Sequence, residues 1–138
     1  MNFLLDTNAV SEWVKPRPNA GLIRWMESAD EDRIFLSVIS LAELRYGIER
    51  MPVGSRRTRL EHWLRAELPL RFERRIISVD ERVAEAWGKT VSHSKGLGHT
   101  IGVMDAFLSA TAEIHHLTLV TRNTSDFPML KGILNPWS

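Results

Sequence analysis

Four short apolar runs, Phe3 to Leu5, Ile34 to Leu36, Ile76 to Val79 and Leu117 to Val120, recur along the chain with helical periodicity between them. A weaker fifth run covers Gly132 to Leu134. Each is too short and too poorly alternating for a half-solvated strand, which is how parallel strands buried on both faces read. Between them the pattern predicts helices over Asn8 to Lys15, Asn19 to Ala29, Leu41 to Arg50, Ser55 to about Leu68, Glu81 to about Ser94 and Met104 to His116. Strands alternating with helices imply right-handed crossovers and a parallel sheet covered on both faces. The expectation is one α/β domain over residues 1–138, with no repeat or linker.

Composition agrees, with 43% hydrophobic and 25% charged residues. The chain has no cysteine, so disulfides, thiolate-held zinc and a thiol nucleophile are excluded. It shows neither a signal-peptide pattern nor an apolar run of the ~18 residues a membrane span needs. The expected compartment is the cytoplasm. The net charge of +1 conceals an asymmetry: nine arginines face four glutamates between Arg45 and Arg75, a local balance of +5. Such a stretch is either a solvated helix surface or a face that meets an anionic polymer.

In open parallel sheets ligands bind beyond the carboxyl ends of the strands. Asp6 stands there after the first run, where it serves either as a helix N-cap or as a site carboxylate. Glu43, in "SVISLAELRYGIER", lies beside the stripe of Leu41, Leu44 and Ile48 with no basic residue at position 47 to pair with. Asp105, in "GVMDAFLSATAEIHH", falls in the first turn of a helix, where the dipole alone favours a carboxylate. Thr121, Asn123 and Asp126 follow the fourth strand in "LTLVTRNTSDF". Each has an ordinary capping or turn explanation; their common address does not. Carboxylates gathered at one edge repel unless a cation neutralises them. An all-oxygen donor set selects Mg²⁺ or Mn²⁺. Such ions activate water and stabilise the oxyanions of an in-line displacement at phosphorus.

"LLDTNAVSE", "LSVISLAELRYGIER", "MDAFLSATA", "LTLVTRNTSDF" and the terminal "NPW" together resemble the PIN-domain superfamily, and within it the toxin ribonucleases of the VapC and FitB type. The resemblance runs from end to end in motif order and spacing. It implies a three-layer α/β/α sandwich and a Mg²⁺-dependent endoribonuclease, with Mn²⁺ able to substitute, that leaves 5′-phosphate and 3′-hydroxyl ends. It also implies a homodimer inhibited by a cognate antitoxin, with DNA bound only indirectly through the antitoxin complex. Carried over by motif, Asp6 and Asp105 are the principal metal ligands, joined by Glu43 and Asn123. Asp126 completes the catalytic acids, and Thr7, Asn8 and Thr121 orient ligands or substrate. Where many members have an aspartate directly after "TR", this chain has Asn123, which supplies an oxygen but no charge.

Other signals carry less. The glycines of "GLGHTIG" miss G-x-G-x-x-G spacing and follow a helix. His115 and His116 end a helix, where the dipole suits them. Trp13, Trp25, Trp63 and Trp87 fall at apolar helix positions and read as core or interface, while Trp137 seals the sheet edge or lies in an interface. A phosphoacceptor domain would need paired acids after the first strand and a lysine after the last, and neither is present. A noncatalytic, RNA- or partner-binding member is the remaining alternative.

Overall fold

The computed structural model describes residues 1–138. Strand β1 (Phe3–Leu5) leads into helix α1 (Thr7–Trp13), capped by Asp6, whose carboxylate accepts from the Thr7 N–H at 2.7 Å. Pro16 and Pro18 then prevent further helix. Asn19 caps α2 (Ala20–Ser28) by accepting from the Leu22 N–H, and a 3₁₀ turn (Glu31–Arg33) precedes β2 (Ile34–Ser37). Helix α3 (Val38–Glu49) starts three residues before the sequence pattern suggested. The Ser37 hydroxyl accepts from the Ile39 N–H at 3.0 Å, and this cap overrides the weak helix propensity of the β-branched pair that follows.

The predicted single helix from Ser55 is broken. α4 (Ser55–His62) widens into a π turn (Trp63–Glu67) and continues as α5 (Leu68–Arg71), which contains Pro69. A proline ring clashes with the carbonyl four residues back in a regular helix, and π widening at that point relieves the clash. Strand β3 is only Ile76–Ile77, shorter than expected. It lies at the sheet edge with β2 as its one neighbour, and β2 ends at Ser37, opposite Ile77, where α3 begins. Helices α6 (Glu81–Gly96, capped by Asp80) and α7 (Val103–Ile114), strand β4 (Thr118–Val120), a 3₁₀ turn (Thr124–Asp126) and β5 (Ile133–Leu134) complete the chain.

All four strand pairs are parallel, in the order β3-β2-β1-β4-β5. Adjacent residues of β1 serve opposite faces. Leu5 joins Val10, Leu22, Leu36, Leu44, Leu68 and Phe72 beneath the first five helices, while Leu4 joins Leu108, Leu119 and Phe127 beneath α7. Helix α6 packs on α7 through Val83, Ala86 and Ala110, with Trp87 stacked on Phe107 at 5.3 Å. This is the expected α/β/α sandwich with a central parallel sheet. Each fully buried leucine or phenylalanine contributes roughly 2 kcal/mol of transfer free energy.

The aromatic residues divide as their neighbours dictate. Trp25 meets Phe3 edge-on, Trp13 meets Phe72 edge-on, and Trp63 and Trp137 pack against the larger core. The C-terminal segment is clasped to α2: Asn19 accepts from the Ser138 N–H, and the Ser138 hydroxyl accepts from the Gly21 N–H. The fit leaves no space at Gly21, where an added Cβ would stand 2.4 Å from the Pro136 carbonyl oxygen. No helix is long and apolar enough to cross a membrane.

Candidate functional site

The chain order turns at β1, which passes to β2 on one side and lies beside β4 on the other. At such a switch point the loops leaving neighbouring strands diverge and open a crevice. Asp6 lies at the end of β1 with only 6% of its surface exposed, and its N–H is tied to the Val120 carbonyl of β4 at 2.9 Å. Helices α3 and α7 run back against the strands, so their first turns return to this edge. They bring Glu43 and Asp105 with them; the early start of α3 places Glu43 in its second turn.

Two hydroxyls organise the carboxylates. Thr121 donates to Asp6 Oδ2 at 2.7 Å and accepts from Asn8 Nδ2 at 3.3 Å and the Asn123 N–H at 3.0 Å. One donor and two lone pairs are thereby used in full. Thr7 donates to Glu43 Oε1 at 2.6 Å and sits 2.9 Å from the hydroxyl of Ser40. With its single hydrogen committed to Glu43, Thr7 accepts from Ser40. Both hydroxyl–carboxylate distances have the length of charge-assisted bonds. Asn8 also accepts from the Arg122 N–H at 3.4 Å, so α1 and the loop after β4 are fastened together beside Asp6. Of the orienting set expected from sequence, Thr7 and Thr121 bond acids directly, and Asn8 reaches Asp6 only through Thr121.

The acids perturb one another. Asp6 is raised above its ordinary value, mainly by burial, with Glu43 and Asp126 adding repulsion against the lowering effect of Thr121 and Thr7. Asp105 is pushed up to about 6, first by burial and then by Asp6, Asp126 and Glu43. It gains no compensating hydrogen bond from the chain. The four carboxylates therefore share one electrostatic site, with Asp126 on its exposed rim. Asn123 is exposed too, and its tie to the site is through its backbone.

No group of three or more acidic or histidine side chains is arranged to hold a metal ion unaided. Asp6, Glu43 and Asp105, with Asn123, do not form a closed cage. The donor chemistry nonetheless fits Mg²⁺, which takes one or two carboxylates and keeps several waters. Asp6 and Asp105 are the two acids raised above their ordinary values, and the charge of Glu43 acts on both.

Ser40 was missed in the sequence, although its place three residues before Glu43 puts both on one face of α3. The arginine stretch resolves into distinct jobs. Arg57 pairs with Glu49 and Glu61, Arg45 with Glu49, and Arg71 with Glu31. Arg75 donates to the carbonyls of Glu31, Ile34 and Arg71. Arg56 and Arg59, by contrast, line a groove of about 470 Å³ that reaches Glu43 and is floored by Leu44, Ile48 and Trp63. A cavity of about 700 Å³ between α6, α7 and the beginnings of β4 and β5 contains none of the candidate residues.

Comparison with known proteins agrees with this fold. The PIN domain family model matches residues 3–131. The toxin FitB of Neisseria gonorrhoeae is 36% identical over 135 residues, 97% of each chain. The VapC ribonuclease Y4jK of Sinorhizobium fredii is 33% identical over 135 residues, 97% of this chain and 96% of the relative. Among solved structures, FitAB bound to the IR36 DNA fragment superposes with a TM-score of 0.91 at 33% identity, covering 99% of this chain and 96% of that one.

Proposed function

The chain belongs to the PIN-domain family, alongside toxins of the FitB and VapC type, and from that membership we propose that it is a divalent-metal-dependent endoribonuclease, the toxin of a toxin–antitoxin pair. The observation that carries the reading is the coupling of Asp6 and Asp105 across the switch point, one buried and one half-buried acid raised together beside Glu43 and Asp126. Mg²⁺ is the cofactor, which Asp6 and Asp105 would principally hold, with Glu43 and Asn123 as further oxygen donors. When bound, such an ion supplies Lewis acidity toward a phosphate oxygen and lowers the pKa of its water.

The chain's own groups set the stage for cleavage. Thr121 and Asn8 hold Asp6, and Thr7 with Ser40 holds Glu43, so neither carboxylate has to be reoriented when a phosphodiester arrives. Asp126, on the rim, remains open to the strand. Arg56 and Arg59, which have no internal ion pair, are placed for contacts to the RNA backbone. A single-stranded loop of a structured RNA suits the site, because unpaired bases are the ones a protein reads. The partner is a cognate antitoxin, as the FitAB and VapBC complexes among the structural neighbours support, with DNA contacted through it and the toxin acting as a homodimer.

The deciding experiment incubates antitoxin-free protein with structured cellular RNA and Mn²⁺, and maps new 5′ ends against an EDTA control and the Asp6→Asn variant. Discrete 5′-phosphate ends absent from both controls support the reading. Identical profiles in all three reject it in favour of a noncatalytic binding role.

A further inference from the structure

A phosphodiester approaching this edge meets Asp6, Glu43, Asp105 and Asp126 together. One cation cannot balance four nearby carboxylates and the phosphate as well, so a further positive group belongs beside the site. Arg122 directly follows Thr121, whose hydroxyl holds Asp6, and directly precedes Asn123. Its backbone is fastened on both sides: its N–H donates to Asn8 Oδ1 at 3.4 Å and its carbonyl accepts from Asn135 Nδ2 at 3.5 Å. Its side chain is exposed and enters no ion pair. Its charge acts weakly on Glu12, which is already held by Lys15 and the Asn19 N–H. An arginine with a fixed backbone and an uncommitted guanidinium presents a planar fork matched to two phosphate oxygens. The four arginines between Arg45 and Arg75 that are tied into pairs or carbonyl bonds cannot do this without losing those partners.

Resting on the ribonuclease reading above, we infer that Arg122 is a substrate-positioning residue, its guanidinium gripping a backbone phosphate of the RNA strand at the carboxylate edge. The test is RNA binding with cleavage switched off. A fluorescently labelled bulk transfer-RNA fraction is titrated in EDTA across a salt series with wild type, Arg122→Gln, Arg122→Lys and a control, Lys131→Gln, whose exposed charge lies at the beginning of β5 on the opposite edge. Losing one phosphate contact lowers the slope of log K against log salt by about 0.7 for a single strand. Arg122→Gln is expected to show that loss with a roughly three- to tenfold weaker Kd. Arg122→Lys is expected to recover the slope without all of the affinity, and Lys131→Gln to behave as wild type, all with unchanged melting temperatures.

If wild type cleaves RNA with Mn²⁺ while Arg122→Gln binds with an unchanged slope, the assignment of Arg122 falls and the ribonuclease reading stands. An equal loss in Lys131→Gln also overturns it, since the effect is then only net charge. If wild type neither binds nor cleaves, the reading fails and the assignment goes with it.

Discussion

Replacing Asp105 by asparagine should make the metal-free protein more stable at neutral pH, although it removes a group at the centre of the site. The carboxyl rises from 3.8 to about 6 through burial and the repulsion of Asp6, Asp126 and Glu43. A rise of that size corresponds to at most about 3 kcal/mol. Asp105 is partly open to water, so we halve this for screening, to about 1.5 kcal/mol. Against it stands the favourable position of a carboxylate in the first turn of α7, worth about 0.5 kcal/mol, which the variant gives up. The net gain is about 1 kcal/mol, or about 4 °C in Tm for a chain of this length.

The pH dependence has a definite sign. A carboxyl whose folded value lies above its unfolded value keeps its proton longer in the fold. Its destabilising effect is absent below about pH 4, develops as pH rises through about 6 and is complete above pH 7. The melting temperatures of wild type and Asp105→Asn in EDTA, followed by circular dichroism, should therefore converge near pH 4 and separate at pH 7.5, with the variant higher. Mg²⁺ should raise the wild-type Tm and leave the variant nearly unmoved. A variant less stable than wild type at pH 7.5, or a gap independent of pH, would show that Asp105 is not under electrostatic strain and would remove the main support for a cation there.

Three other substitutions test the framework. Thr7→Val leaves Glu43 without its 2.6 Å donor and should cost about 1–2 kcal/mol in urea unfolding, with cleavage reduced at least tenfold if Glu43 must be held in place. Gly21→Ala drives a methyl to 2.4 Å from the Pro136 carbonyl and 2.6 Å from the Ser138 N–H, which is backbone and cannot swing aside; we expect a loss of about 2 kcal/mol by chemical denaturation, and a neutral outcome would mean the C-terminal clasp is loose in solution. Arg75→Ala removes three donors to the carbonyls of Glu31, Ile34 and Arg71 and should destabilise by about 2–3 kcal/mol, whereas Arg56→Ala should leave the urea midpoint unchanged and weaken RNA binding instead.

Strand and helix alternation was legible in the sequence because buried parallel strands and amphipathic helices have local signatures: apolar runs without alternation, and apolar residues at helical spacing. The acids were legible as well, since Asp6, Glu43, Asp105 and Asp126 each follow a strand or open a helix, and the doubly wound topology sends those places to one edge. The boundaries were less legible. Ser37 starts α3 early through a single hydrogen bond, and Pro69 turns one predicted helix into two joined by a π turn; both outcomes depend on backbone geometry that residue types only weakly encode.

The amino-acid sequence by itself determined the layer architecture, the all-oxygen character of the site and the exclusion of thiol chemistry, because these follow from residue types and their periods. Only the tertiary structure decided how the parts act on one another. Thr7 reaches Glu43 and Ser40, and Thr121 reaches Asp6, across 36, 33 and 115 positions of sequence. Glu31, far from the arginine stretch, neutralises Arg71, so that stretch is not the uniform cationic face its composition suggested. Burial and mutual repulsion then raise Asp6 and Asp105 together. Such effects depend on distances of a few ångströms between residues remote in the chain, and those distances exist only once the sheet has brought its strand ends to a common edge.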